Sequence, residues 1–217
     1  MLNGANLNII NQLLTSIALV TVLSQNLAAD EYNITVIDQH QNPVSDAVVS
    51  FMSTDTNPIS PNIAVMDQVE QQFSPKVLVI KKNQQVVFPN SDNTRHHVYS
   101  FSPAKPFEIK LYSGTPNIPV TFDKPGVIIL GCNIHDDMVA YIYVKQKEIT
   151  ALTNKYGVAT LKQAPNSIAS LWHFDIKTND DNNSYQLKKI NEHNWSIQIQ
   201  LIQRLPKKSN TFKARYK

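Results

Sequence analysis

The sequence predicts an all-β chain built from antiparallel sheets packed face to face, and three observations predict it. Short runs rich in Val, Ile, Thr, Tyr and Phe recur along the chain, several alternating in polarity with period two. Clusters of Asn, Asp, Ser, Pro and Gly separate these runs. No sustained amphipathic helical period appears after residue 29. Many short strands joined by polar turns belong to the β-sandwich class.

Taken in order, 32–38 alternates as a strand and 39–43 turns. A second strand lies within 44–52, around Ala47-Val48-Val49-Ser50-Phe51, and 53–62 is a Ser-, Thr-, Asn- and Pro-rich loop. The polar stretch 66–73 could hold a short helical turn. Strands follow at 76–80 and 85–88 around a turn at 81–84. An Asn/Asp-rich connection leads into a strand over 97–101, where alternation puts His96 and Val98 on one side and His97 on the other. Further strands are expected at 107–112, 118–122 and 127–130, the last after the Pro125-Gly126 turn, and a strong one at 138–144. A hairpin over 149–161 turns at Asn154-Lys155-Tyr156-Gly157. The last strands fall within 168–176 and 195–202, with the polar loop 178–184 between them.

The chain of 217 residues is long enough for one large domain or two small ones. Residues 1–29 contain no Lys, Arg, Asp or Glu, and 13–23 is an apolar core followed by Ser24-Gln25-Asn26 and Ala28-Ala29. This reads as an export signal cut near Ala29, too short to span a bilayer comfortably, with no stable membrane insertion afterwards. The expected compartment is the periplasm. The net charge of +3 is uneven: Lys207, Lys208, Lys213, Arg215 and Lys217 put +5 into the tail 204–217 and leave −2 for the rest. Such a tail reads as a solvated terminus. No nucleic-acid motif appears, and no nucleic-acid partner is expected.

Cys132 is the one cysteine of the chain, so no internal disulfide can form. A free thiol in an oxidising compartment is a liability unless something occupies it. It opens the run Cys132-Asn133-Ile134-His135-Asp136-Asp137-Met138, which delivers a thiolate, an imidazole and a thioether from one short loop. Copper accepts that mixture of soft and borderline donors well, and a second imidazole would complete a trigonal site with a weak axial methionine. The segment Phe88-Pro89-Asn90-Ser91-Asp92-Asn93-Thr94-Arg95-His96-His97-Val98 offers His96 or His97. On residue types alone the chain reads as a type 1 copper protein that carries electrons.

The stretch 73–144 resembles a plastocyanin-like cupredoxin domain. The matching parts are Phe73-Ser74-Pro75, Val86 to Asn90 with Asp92, His96, Pro125-Gly126 and Cys132-x2-His135-x2-Met138. The short step from His135 to Met138 is similar to amicyanin. The runs His96-His97-Val98-Tyr99-Ser100-Phe101-Ser102 and Leu130-Gly131-Cys132-Asn133-Ile134-His135 are similar to bacterial cupredoxin-like proteins labelled methylamine utilization proteins. The resemblance implies a Greek-key β-sandwich and one type 1 copper on His96, Cys132, His135 and Met138. The four-residue step from Asp92 favours His96, with His97 in reserve. It further implies unidentified redox protein partners and an electron exit at the His135 edge. Two departures stand out: His97 occupies a position that is Asn in plastocyanin-like domains, and Asp137 one that is aromatic in relatives.

Residues 34–38 and 42–49, with 153–161 and Leu171-Trp172-His173, resemble parts of a transthyretin-like module. The expected organisation is a signal peptide at 1–29, a cupredoxin domain at 65–146, a small β-sandwich from 30–56 and 147–203, and the basic tail; the simplest reconciliation inserts the cupredoxin into the small sandwich, the alternative being that the N-terminal strands belong to the cupredoxin sheet. A copper oxidase or nitrite reductase would need a further imidazole-rich site. His40, His97, His173 and His193 form no His-x-His pair, so no enzymatic activity is expected. A periplasmic copper carrier is the alternative reading.

Overall fold

The computed structural model describes residues 30–52, 62–116, 118–177 and 183–203. The expected signal, the basic tail, most of the loop at 53–62 and residues 178–182 of the later loop lie outside the described residues. No helix occurs among the described residues. The strands are β1 (Tyr32–Ile37), β2 (Val48–Phe51), β3 (Ala64–Val65), β4 (Asp67–Val69), β5 (Gln72–Ser74) and β6 (Val77–Lys81). They continue as β7 (Gln84–Val87), β8 (His96–Ser100), β9 (Phe107–Tyr112), β10 (Val120–Phe122), β11 (Gly126–Cys132) and β12 (His135–Lys145). The chain ends with β13 (Ile149–Leu152), β14 (Val158–Leu161), β15 (Ile168–Trp172), β16 (Ser184–Gln186), β17 (Lys188–Lys189) and β18 (Asn194–Gln198).

Two sandwiches result. In one, the sheet β6-β12-β11-β8-β9 faces β10-β7-β3. Its core contains Phe73, Ile80, Phe88, Val98, Phe122, Ile128, Leu130 and Ile142. In the other, β14-β1-β18-β17 faces β13-β2-β15-β16 across Ile34, Val36, Val49, Phe51, Leu171, Trp195 and Ile197. The second sandwich is made from chain segments on either side of the first. Pairing is mostly antiparallel, but β12 with β6, β1 with β18 and β3 with β7 run parallel.

The local reasons are visible in the burial patterns. On β12, Met138, Ala140, Ile142 and Val144 point into the first core while Val139, Tyr141 and Tyr143 point outward. That outward row meets Val48, Leu152, Trp172 and Phe174 of the second sandwich. Tyr141 stacks on Phe174 with centroids 5.1 Å apart and planes 5° from parallel, and meets Trp172 edge-on at 5.4 Å. β2 is buried at every position because Val49 and Phe51 fill one core while Val48 faces the neighbouring sheet.

Three expectations are corrected. Residues 66–73 hold no helical turn; they form a hairpin of β4 and β5 turning at Glu70-Gln71, whose φ values of 51° and 58° give the twist that tight hairpins favour. Gln68 and Phe73 alternate inward there, a strand pattern masked by the polar content of the segment. The strand expected over 138–144 begins three residues earlier, at His135, and the one over 127–130 runs on to Cys132. Short strands β16 and β17 occupy a stretch that carries no strong strand signal, because edge pairing to β15 and β18 rather than local propensity forms them.

Candidate metal centre

The β11–β12 hairpin carries two donors. Cys132 ends β11, His135 begins β12, and they pair directly across the Asn133-Ile134 turn. Neither turn residue has a positive φ, so the turn is not of the primed type that matches strand twist. A register shift between Gly131 and Cys132 takes up the mismatch. A Cβ at Gly131 would stand 2.7 Å from Cζ and 2.8 Å from Oη of Tyr99, so any side chain there would displace the Tyr99 ring from the backbone beside Cys132.

The third donor comes from β8, which neighbours β11. His96 is fully buried, and its Nδ1 lies 3.8 Å from Cys132 Sγ. His135 Nδ1 lies 3.8 Å from the same sulfur. The ligand atoms of His96, Cys132 and His135 all fall within 4.8 Å of one another, and the imidazole centroids are 5.0 Å apart. Met138, three residues beyond His135 on β12, is 1 % exposed and shares the core cluster of Cys132. His135 is half-buried and its neighbours Asp136 and Asp137 are exposed.

Do these residues fit a metal? A cation about 2.0 Å from nitrogen and about 2.3 Å from sulfur, with trigonal angles, places N and S about 3.8 Å apart. The observed separations agree. A single thiol proton could serve only one of the two nitrogens at a time, whereas all three atoms can offer a lone pair to one point. A cation would satisfy all three donors at once. The donor set and its spacing fit a metal ion.

The loop before β8 is held rigidly. Asn90 Nδ2 donates to the carbonyls of Thr94 and Tyr112, both at 2.9 Å, while its Oδ1 accepts the Asp92 amide at 3.0 Å. The His96 ring is fixed from behind: its Nε2 donates to Asp92 Oδ2 at 2.6 Å. Burial pushes the Asp92 carboxyl up, but hydrogen bonds from the Gln71 amide, the His96 ring and the Glu70 amide outweigh it and hold its pKa below the usual carboxylate value. Asp92 is therefore a carboxylate that can only accept, and the His96 proton sits on Nε2.

Nearby, Tyr112 Oη donates to the Phe88 carbonyl at 2.7 Å and accepts from Gln68 Nε2. Burial, opposed by the Gln68 hydrogen bond and helped by the nearby Asp67 charge, pushes the Tyr112 phenol up to about 12.

Of the sequence-predicted residues, the structure brings His96, Cys132 and His135 together and puts Met138 in the same core. His97 points the other way, its Nε2 donating to Glu108 Oε1 at 2.9 Å. His40 is exposed, His173 Nδ1 accepts the Asp175 amide at 3.1 Å, and His193 stacks on Tyr32 at 5.3 Å. Sequence reasoning missed the Gln68–Tyr112 pair and Glu108, since these contacts join separate strands and leave no local signal.

The chain matches no protein-family model. It matches no curated protein. Among solved structures it is similar to a copper-containing nitrite reductase from Thermus scotoductus, at 22% identity over 51% of this chain and 28% of that one, with a TM-score of 0.37. It is similar to a purple cupredoxin from Nitrosopumilus maritimus, at 20% identity over 38% of this chain and 99% of that one, with a TM-score of 0.34. A mutant of amicyanin in its reduced Cu(I) form is 15% identical over 46% of this chain and 99% of that one, with a TM-score of 0.35. The chain thus spans about a quarter of the nitrite reductase. What marks it as able to hold a metal ion is the meeting of His96, Cys132 and His135.

Proposed function

We propose that this chain is a cupredoxin-like type 1 copper protein that carries single electrons between redox proteins. One observation carries the reading: two imidazole nitrogens and a single thiolate sulfur converge within 4.8 Å at one end of a β-sandwich. In it, His96, Cys132 and His135 are the equatorial ligands and Met138 the weak axial one. Zinc prefers four firm ligands, whereas three firm donors with a thioether suit copper.

Bound copper supplies a one-electron couple; the protein supplies the frame. Cys132 and His135 are fixed by hairpin pairing, and His96 by β8 and Asp92, so the donor positions are set by the sheet rather than by mobile loops. A frame that cannot rearrange keeps reorganisation small between oxidation states. The half-buried ring of His135 offers the exit path to a partner.

Export to the periplasm follows from the apolar segment 13–23, and a kinship with methylamine utilization proteins follows from the runs around His96 and Cys132. Catalysis is not part of the proposal. No helix among the described residues is long and apolar enough to cross a membrane.

The test is the visible and EPR spectrum of the purified protein titrated with Cu(II), beside Cys132→Ser. An intense thiolate-to-copper band with narrow hyperfine splitting, lost in the variant, is expected. A pale cupric spectrum that the substitution leaves unchanged would overturn electron transfer and favour a periplasmic copper carrier.

A further inference from the structure

Asp92 does more than terminate a loop. Its two oxygens receive three donors: the Glu70 amide at 2.7 Å, the Gln71 amide at 2.9 Å and His96 Nε2 at 2.6 Å. The two amides come from the β4–β5 turn, where successive left-handed residues aim both N–H groups at one carboxylate. That hairpin is in turn lashed to the loop: Ser91 Oγ donates to Asp67 Oδ2 at 2.8 Å, and the Ser91 amide donates to the Gln68 carbonyl at 3.0 Å. Asp92 keeps 13 % side-chain exposure while the imidazole it holds has none, so no water replaces it at that ring.

We infer that Asp92 is a positioning residue for the metal. It holds His96 with the proton on Nε2 and the Nδ1 lone pair turned toward Cys132, and it biases the site toward the higher oxidation state of copper. The inference rests on the copper reading above. Its physical basis is direct: an anionic acceptor on the far nitrogen fixes the tautomer and ring angle and makes the ligating nitrogen more basic. A negative charge one hydrogen bond from the ligand also stabilises Cu(II) more than Cu(I), because the oxidised ion carries one more positive charge. The β4–β5 hairpin is thereby part of the centre: it neutralises the cost of holding a carboxylate beside a buried ring.

The experiment compares the full chain with Asp92→Asn and Asp92→Ala. Cu(II) and Cu(I) affinities are measured by chelator competition, the reduction potential by voltammetry, and the His96 Nε2–H signal by 15N NMR in the Cu(I) form. Cu(II) affinity is expected to fall by about 10- to 100-fold, the usual loss for removing such a partner, and Cu(I) affinity by less. Each tenfold difference between the two raises the potential by about 59 mV. The Nε2–H is expected to exchange with solvent much faster in Asp92→Ala. A purely structural role would lower the melting temperature and leave the potential where it was. If Asp92→Ala does not fold, Asp92→Asn, which keeps the size and one acceptor oxygen, decides. A blue wild type whose variants keep both affinities within about twofold and the same potential overturns the inference alone. A wild type with no thiolate-to-copper band overturns the copper reading, and the inference with it.

Discussion

His96 and His97 are neighbours in the chain and lie on opposite faces of β8. His96 turns inward to Cys132 and Asp92, and His97 turns outward to Glu108. Strand alternation makes the two rings non-equivalent, so they answer differently to substitution. His97→Asn is expected to keep the visible copper band and to change Cu(II) affinity by less than about threefold, since only a partly exposed hydrogen bond to Glu108 is lost. His96→Asn is expected to lose the band and more than about 100-fold in affinity, because a proposed ligand goes rather than its support. A copper titration followed by absorption distinguishes them, and the reverse pattern would assign the site to His97.

Met138 is buried beside Cys132, so an apolar residue of similar volume fits there without rearranging the core. Met138→Leu is expected to keep the protein folded and blue while removing the proposed weak axial donor. The potential should rise by at least about 59 mV, equivalent to a tenfold shift between Cu(I) and Cu(II) affinity. A potential that does not move would remove Met138 from the ligand set.

Trp172 joins the sandwiches by packing on Tyr141 at 5.4 Å and Tyr143 at 6.0 Å, both on the strand that carries His135 and Met138. Trp172→Ala is expected to cost about 2 kcal/mol, below the full-burial range because the indole is half-buried. For a chain of this size that is a fall of about 4–8 °C in melting temperature. Thermal unfolding followed by tryptophan fluorescence, whose sources Trp172 and Trp195 both lie in the second sandwich, and by copper absorbance reports the two sandwiches separately. If the interface couples them, both signals move together.

Burial pushes the Tyr112 phenol up to about 12. A raised acid means that the folded protein favours the neutral form. The stabilisation is complete below about pH 10, where an unfolded tyrosine begins to ionise, and is lost as pH rises from about 10 to about 12. Denaturant midpoints measured from pH 8 to 11.5 should therefore fall more steeply in wild type than in Tyr112→Phe. Equal slopes would show that Tyr112 does not resist ionisation.

Much of this was legible in the sequence because it is local. The apolar, β-branched and aromatic runs 138–144 and 76–80 mark strands without knowledge of their partners, and the three-residue step from Cys132 to His135 puts two donors in one turn whatever surrounds it. Where local signals conflicted, reading failed. The segment 66–73 looked polar enough for a helical turn, yet Gln68 is wholly buried among partners from other strands.

The sequence by itself determined the β class and the chemistry of the donors, since both depend on residue type and short-range periodicity. Only the tertiary structure decided that His96 meets Cys132 across neighbouring strands, that Asp92 seizes its far nitrogen, and that a turn about twenty residues upstream holds Asp92 in place. Those contacts depend on strand register and on which face of each sheet is covered. Both are properties of the pairing between distant segments, and no single segment encodes them.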